Sequence, residues 1–233
     1  AAHGGFEEIL SAMLAAEWDI RHAPQEAFAI DSHRKALVRG VPEAEFVVVS
    51  GCTADPFSRR LTAALCARLP ILAGSRTHGV TAATVAVEAD AAAAVLLVSE
   101  RMLASVRAPA RVVRIAGGAR TGGDPVRPGL APIDAARTAL ARDSMSASSI
   151  TVTEVMEAFA VQAMTFIRAL DLDPISVNPA GGALARGHPI GASGAIVAVR
   201  TWHELQTMGS GASALAAIAA AGGLGSVALL RTE

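Results

Sequence analysis

Asn178-Pro179-Ala180-Gly181-Gly182-Ala183-Leu184-Ala185-Arg186-Gly187-His188-Pro189-Ile190-Gly191-Ala192-Ser193-Gly194 lies between a strand-like segment and an amphipathic helix. Five glycines and two prolines surround one histidine in these residues. Glycine lets a backbone take positive φ or approach another group closely, and proline fixes the chain path at the loss of a donor. A loop so built is entropically costly unless it holds something in place. His188 is the strongly placed titratable side chain in it. A lone loop histidine is ordinarily a surface or packing residue; the glycine frame sets this one apart.

Working outward, the remainder alternates. Ile175 to Asn178 reads as a strand, Glu157 to Leu170 as a helix and Ser149 to Val155 as a strand. Arg111 to Ile115 reads as a strand, Gly117-Gly118 and Thr121-Gly122-Gly123 as a loop, and Pro132 to Ala141 as a helix. On the other side, Ser193 to Met208 reads as a helix. Ser213 to Ala219 and Ser226 to Leu230 form a hairpin about the glycine turn at 221–225. Strands alternating with helices of about ten to fifteen residues predict an α/β layered fold. No G-x-G-x-x-G opens a helix, so the glycine pairs are no dinucleotide fingerprint.

The first hundred residues are less regular. Residues 6 to 39 read as two helices, through Phe6, Ile9, Leu10, Met13 and Leu14 and then from Pro24 to Val38. Phe46 to Ser50 reads as a strand and Pro56 to Ala67 as a short basic helix. Thr81 to Ser99 reads as an alanine-rich helix running into a buried strand at Ala94 to Val98. A boundary falls near 99 to 109, giving segments 1–106 and 107–233.

Composition narrows the function. A net charge of −1 leaves no basic footprint for nucleic acid, and 3% aromatic residues leave few stacking platforms. No apolar run reaches about 18 residues, so no membrane span is expected, and no secretion signal is read at Ala1. Cys52 and Cys66 make neither a disulfide framework nor a metal site. A reduced, cytoplasmic setting is the expectation.

Residues 178–194 resemble the thiolase signature N-x-x-G-G-A-x-A-x-G-H-P-x-G-x-S-G. Met156-Glu157-Ala158-Phe159-Ala160 is similar to the family's N-E-A-F-A, and Thr81 to Leu97 to its T-A-G-N-x-S-x-x-N-D-G-A-A-A-x-L-L. Ala219 to Gly225 resembles its C-x-G-G-G-x-G turn, and Gln25 to Ala29 with Ser32-His33 its loop-region helix. The resemblance implies a thiolase-like fold of two similar βαβαβαββ halves, each around a five-stranded mixed sheet. Residues 107–233 would be the C-terminal half, and 1–106 the remnant of the first half with its helical loop region.

It also implies acyl transfer, with making or breaking of a carbon–carbon bond next to a coenzyme A thioester. That chemistry uses a nucleophilic cysteine, a second cysteine as acid/base, and a histidine that activates the nucleophile and helps hold an oxyanion. His188 matches the histidine. The nucleophile's C-x-S-G motif does not occur, and Cys52 and Cys66 lie in other contexts. Ala219 stands in the second cysteine's place and Met156 in the asparagine's. Thr84, Ala86 and Ala89 replace polar residues expected to meet coenzyme A. The Ala221 N–H is left as an oxyanion donor, while Phe159 and Pro189 are placed at the acyl pocket, Phe159 being equally a core residue.

The resemblance thus implies a protein that acts on or binds acyl-CoA thioesters without being a complete thiolase alone. The alternative is a non-catalytic subunit or acyl-CoA-binding partner of another thiolase-like subunit. The ligand would be a coenzyme A thioester, with no covalently bound cofactor and no metal. Homo- or hetero-oligomerisation is expected, because an absent half exposes apolar surface.

Overall fold

The computed structural model describes residues 5–40, 42, 45–49, 51, 55–105 and 112–233. In chain order come α1 (Phe6–Glu17), α2 (His22–Arg39), α3 (Ala63–Cys66), β1 (Ile71–Ala73), β2 (Val80–Thr81), α4 (Glu100–Leu103) and β3 (Val113–Gly122). They are followed by α5 (Ala131–Arg142), β4 (Val152–Val155), α6 (Ala160–Leu170), α7 (Ala183–Arg186), α8 (Ser193–Gln206), β5 (Ser213–Ala220) and β6 (Leu224–Thr232).

The main sheet has the order β3-β6-β5-β4, with β4 parallel to β5 and the other pairs antiparallel. Side chains along β5 alternate between its faces, as period two requires. Leu215 and Ala217 join a core with α5 and α6, built on Ile133, Ala136, Phe166 and Leu229. Ala214 and Ala216 face Val197 and Leu205 of α8 on the other side. The result is the helix–sheet–helix layering expected of an α/β fold. Helix α6 is buried through Ala160, Val161, Ala163, Thr165, Phe166 and Ile167, so it behaves as a central helix. Each large apolar side chain buried there contributes about 2 kcal/mol.

The sheet departs from five full strands. The fifth place, beside β4, is one parallel bridge between Thr153 and Val177. A 3-10 turn over Pro174–Ser176 precedes it, and Asn178 follows at φ 44°, so the extended stretch cannot grow. Asn178 nevertheless continues the pairing with its side chain. Its Oδ1 accepts from Val155 N–H (2.8 Å) and its Nδ2 donates to Val155 O (2.9 Å).

Other expectations also shift. The Gly117-Gly118 and Thr121-Gly122 segments belong to β3 instead of forming a loop. A side chain at Gly118 would run into Val227 O at 2.7 Å, so glycine permits the close pairing with β6. The helix expected over 56–67 shortens to α3, capped by Thr62. Ahead of it, Ser58 Oγ donates to Ala185 O (3.0 Å) and Arg59 N–H to His33 Nδ1 (3.3 Å), which holds the chain extended.

The expected strand at 46–50 is reduced to a single bridge residue, Val49, with Ser50 outside the described residues. Thr81 to Ser99 forms neither the expected helix nor a buried strand. Beyond β2 it runs mostly without regular structure, and Leu96 and Leu97 are 88% and 68% exposed. Val47, Val48 and Val95 to Val98 are strand-forming but are paired with no strand among the described residues.

Candidate functional site

Thr84 to Ala89 is clipped between two loops. On one side Val85 bridges Phe159 antiparallel, with Ala86 N–H donating to Ala158 O and Ala160 N–H to Thr84 O, both at 2.9 Å. On the other, Glu88 bridges His188 in parallel: His188 N–H donates to Val87 O (2.7 Å) and Ala89 N–H to His188 O (3.4 Å). The three motifs separated in sequence therefore meet as adjacent extended segments.

The glycines of the loop explain how they come so close. Gly181 has φ 73° and lies against Ser32 O and the Ala36 backbone of α2, where no side chain fits. Gly187 has φ 90°, and a Cβ there would stand 2.8 Å from Ala89 Cβ. Between them, the Arg186 guanidinium donates to Gly40 O (2.8 Å) and Ala180 O (2.9 Å), fastening the loop to the end of α2.

His188 is half-buried. Its Nδ1 lies 2.7 Å from Ser193 Oγ, which also lies 3.2 Å from Pro189 O. A hydroxyl has one proton, and a carbonyl oxygen can only accept. When Ser193 donates to Pro189 O, it must accept from His188 Nδ1–H. That leaves Nε2 as an unprotonated acceptor with no hydrogen-bond partner among the described residues. Burial holds the imidazole below its ordinary pKa, while the nearby Glu88 raises it. A neutral imidazole with one nitrogen anchored and the other bare is suited to accept a proton.

A cavity of about 780 Å³ adjoins this ring, lined by 88–93, 188–192 and Ala195. Pro189 is buried in its lining, and its carbonyl also accepts from Ala192 N–H (2.7 Å) and Ser193 N–H (3.0 Å). Phe159 is 9% exposed and packs with Leu14, Ala15, Ile20 and Val161, away from the cavity lining. Met156 is buried against Val152, Val197 and Leu205. Ala86 is half-buried in the clipped segment, Ala219 is half-buried near the end of β5, and Ala221 is exposed in the turn that follows. Ile218 lies against Gly194, which brings the end of β5 to the start of α8.

Cys66 does not stand at the cavity. Cys66 is fully buried with Ala29, Leu61 and Leu184, and burial pushes its thiol pKa up, opposite to what a nucleophile needs. Cys52 lies outside the described residues. Among the described residues no group of His, Cys, Asp and Glu could hold a metal ion, and no helix is long and apolar enough to cross a membrane.

Four residues given no role from the sequence prove central to the geometry: Ser32, Glu157, Ser193 and Glu88. Glu157 is 1% exposed and accepts from Ser32 Oγ (2.7 Å), Asn178 Nδ2 (2.6 Å) and Leu184 N–H (3.3 Å). The available signal for Glu157 was its place as the one carboxylate inside the Met156–Ala160 motif segment. Ser32 lies in the quoted loop-region helix and Glu88 at an unspecified position of the Thr81–Leu97 motif, so neither was marked for a role.

A family profile described as "Thiolase, C-terminal domain" matches residues 109–232. The beta-ketothiolase BktB of Cupriavidus necator is 34% identical over 228 residues, covering 93% of this chain and 57% of that protein. In structure, the chain is similar to Bacillus anthracis acetyl-CoA acetyltransferase, with a TM-score of 0.87, 27% identity, and 97% and 60% of the two chains covered. It is also similar to human mitochondrial 3-ketoacyl-CoA thiolase in complex with CoA, with a TM-score of 0.82, 25% identity, and 97% and 58% covered. The chain thus spans little more than half the length of the proteins it matches.

Proposed function

The chain belongs to the thiolase family, and from that premise we propose that the His188 cavity receives the thioester end of an acyl-coenzyme A, within a larger thiolase-fold assembly. The observation that carries this reading is His188 itself, anchored at Nδ1 by Ser193 and bare at Nε2 beside a cavity of about 780 Å³. In this reading residues 107–233 are the C-terminal half and 1–106 belong to the first half. His188 accepts the proton of an attacking thiol and returns it to a leaving group. The Ala221 N–H, in an exposed turn, serves as an oxyanion donor, and Pro189 shapes the acyl pocket.

The nucleophilic thiol must come from outside the described residues, because the cavity lining contains none. The same holds for the second acid/base, since Ala219 has no titratable group, while Met156, in the asparagine's place, is committed to the core. We therefore assign the chain a part in acyl transfer at coenzyme A thioesters, with no covalently bound cofactor, and not a complete thiolase cycle by itself. A reduced cytoplasmic setting fits a site whose partner group is a thiol.

Apolar surface supports the assembly. Val47, Val48 and Val49 are 80%, 56% and 65% exposed, and among the described residues 90–98 make no backbone hydrogen bonds with the rest of the chain. Exposed strand-like segments of this kind take up strands from another chain or segment. The occupant we assign is thiolase-like, either another copy or a related subunit.

The second reading, an acyl-CoA-binding subunit without turnover, is favoured by the loss of a titratable group at Ala219 and of a polar one at Met156. Titration calorimetry with acetyl-CoA, beside an acetoacetyl-CoA thiolysis assay with and without a thiolase-like partner, separates the two. Binding that is lost in His188→Ala, with turnover only in the presence of the partner, is the expected result. Full thiolysis by the chain alone would overturn it, and binding with no turnover under any condition selects the second reading.

A further inference from the structure

Glu88 sits opposite His188 across the parallel bridge described above. Residues paired directly across a parallel bridge project their side chains to the same face of the sheet, with backbones about 4.8 Å apart. Both line the same cavity. The pairing is enforced by Gly187, whose lack of a side chain admits Ala89.

The surrounding charges are simple. The extended segment contributes Glu88 and, two residues on, Asp90, which also lines the cavity. Residues 189–192 contribute no charge, and neither does the first turn of α8, Ser193 to Ile196. No cation lines the cavity. An imidazolium formed at His188 would therefore be met by carboxylates only, with Glu88 the one held in register with it. Burial disfavours that imidazolium and Glu88 favours it.

We infer that Glu88 is the charge partner of His188, a positioning carboxylate that stabilises the imidazolium whenever Nε2 holds a proton. The cavity thereby handles protons through an imidazole–carboxylate pair in a setting where no thiol lines it. The balance is closed: a proton passes from the bound donor to Nε2, and Nε2 releases the same proton to the leaving group. This rests on reading His188 as the proton acceptor of the thioester site, but it can be tested without turnover.

The test follows the His188 ring by proton–nitrogen NMR through a pH titration of the intact chain and of the Glu88→Gln and Asp90→Asn variants. Glu88 is exposed, so the substitution leaves folding intact, as unchanged thermal unfolding will verify. The expected result is a His188 midpoint lowered by about half a unit in Glu88→Gln, and a smaller change in Asp90→Asn. A midpoint unmoved or raised in Glu88→Gln overturns the inference, as does an equal or larger change in Asp90→Asn. A calorimetric titration with acetyl-CoA keeps the two readings apart. Failure to bind it counts against the thioester site, while the His188 midpoints still decide the role of Glu88.

Discussion

The Glu157 carboxyl group fills the space in which a side chain at Gly182 would begin. Gly182 N–H donates to Ser32 Oγ (3.0 Å), and Ser32 Oγ donates its single proton to Glu157 (2.7 Å). With Asn178 Nδ2 and Leu184 N–H also given to Glu157, one carboxyl group ties α2, the end of β4 and the glycine loop together. Burial pushes the Glu157 pKa up, and the hydrogen bonds from Asn178, Ser32 and Leu184 oppose that rise.

Gly182→Ala should therefore destabilise the fold far more than an ordinary loop substitution. The new methyl must displace a hydrogen-bonded carboxyl group in a packed interior, which costs about 2–3 kcal/mol. Urea unfolding measures the loss. A change within about 0.5 kcal/mol, the range of an unremarkable surface position, would show that the loop absorbs the methyl.

Ser193→Ala removes the group that fixes the His188 tautomer. The stability loss should be about 1 kcal/mol, that of one hydrogen bond. The ring nitrogen shifts of His188 should move from a single Nδ1–H form towards a mixture, and acetyl-CoA affinity should fall with them. Unchanged nitrogen shifts would mean that packing alone orients the ring.

His33 makes a prediction about acid stability. It is 2% exposed, accepts from Arg59 N–H, and burial lowers its pKa to about 4, with the Arg59 charge adding to the effect. A histidine whose folded pKa lies below its unfolded value binds fewer protons folded than unfolded. Stability is therefore complete above about pH 6.5 and falls as pH drops towards 4, by at most about 1.4 kcal/mol per pH unit. His33→Gln should flatten that part of a stability–pH curve measured by urea unfolding. An unaltered slope would assign the acid sensitivity to other groups.

The layered fold and its order of elements were legible because α5, α6, α8 and the β5–β6 hairpin carry clear periods and punctuation. The segments 46–50 and 81–99 misled for one shared reason. Val47–Val49 and Val95–Val98 have the composition of buried strands, yet burial depends on a neighbour the described residues do not provide. His188 was legible from its glycine frame. The roles of Glu88, Ser32 and Ser193 were not, since each acquires its role only through a tertiary contact.

Glu154 and Arg200 give a second pH-dependent element. Glu154 is 2% exposed on β4, its Oε2 accepts from Arg200 Nε (3.1 Å), and Arg200 also faces Glu45 at 3.4 Å. Burial raises the Glu154 pKa to about 7 in spite of the Arg200 charge. An acid with a raised folded pKa binds its proton more tightly when folded, so stability declines as pH rises from about 4.5 to 7. Arg200→Met should cost about 3 kcal/mol at neutral pH, with the loss smaller at pH 5, where Glu154 is protonated. Equal losses at both pH values would show that Arg200 acts through packing and not through its charge.

The exposed edge at 95–98 leads to a prediction about association. Leu96 and Leu97 are adjacent, both are exposed, and in an extended chain adjacent side chains point to opposite faces. A strand with apolar side chains on both faces is suited to burial on both, as in the interior of a layered fold. Leu96→Lys with Leu97→Glu should leave the melting temperature of the isolated chain nearly unchanged, since neither side chain is buried in it. The same double variant should lower self-association or partner binding at least tenfold in sedimentation velocity, because a charge placed in a strand interface costs more than about 1.4 kcal/mol, which is one factor of ten. If association persists at the wild-type level, the contact lies on another face, and Val47–Val49 becomes the edge to test. A large drop in melting temperature would instead mean that the segment packs against its own chain in solution.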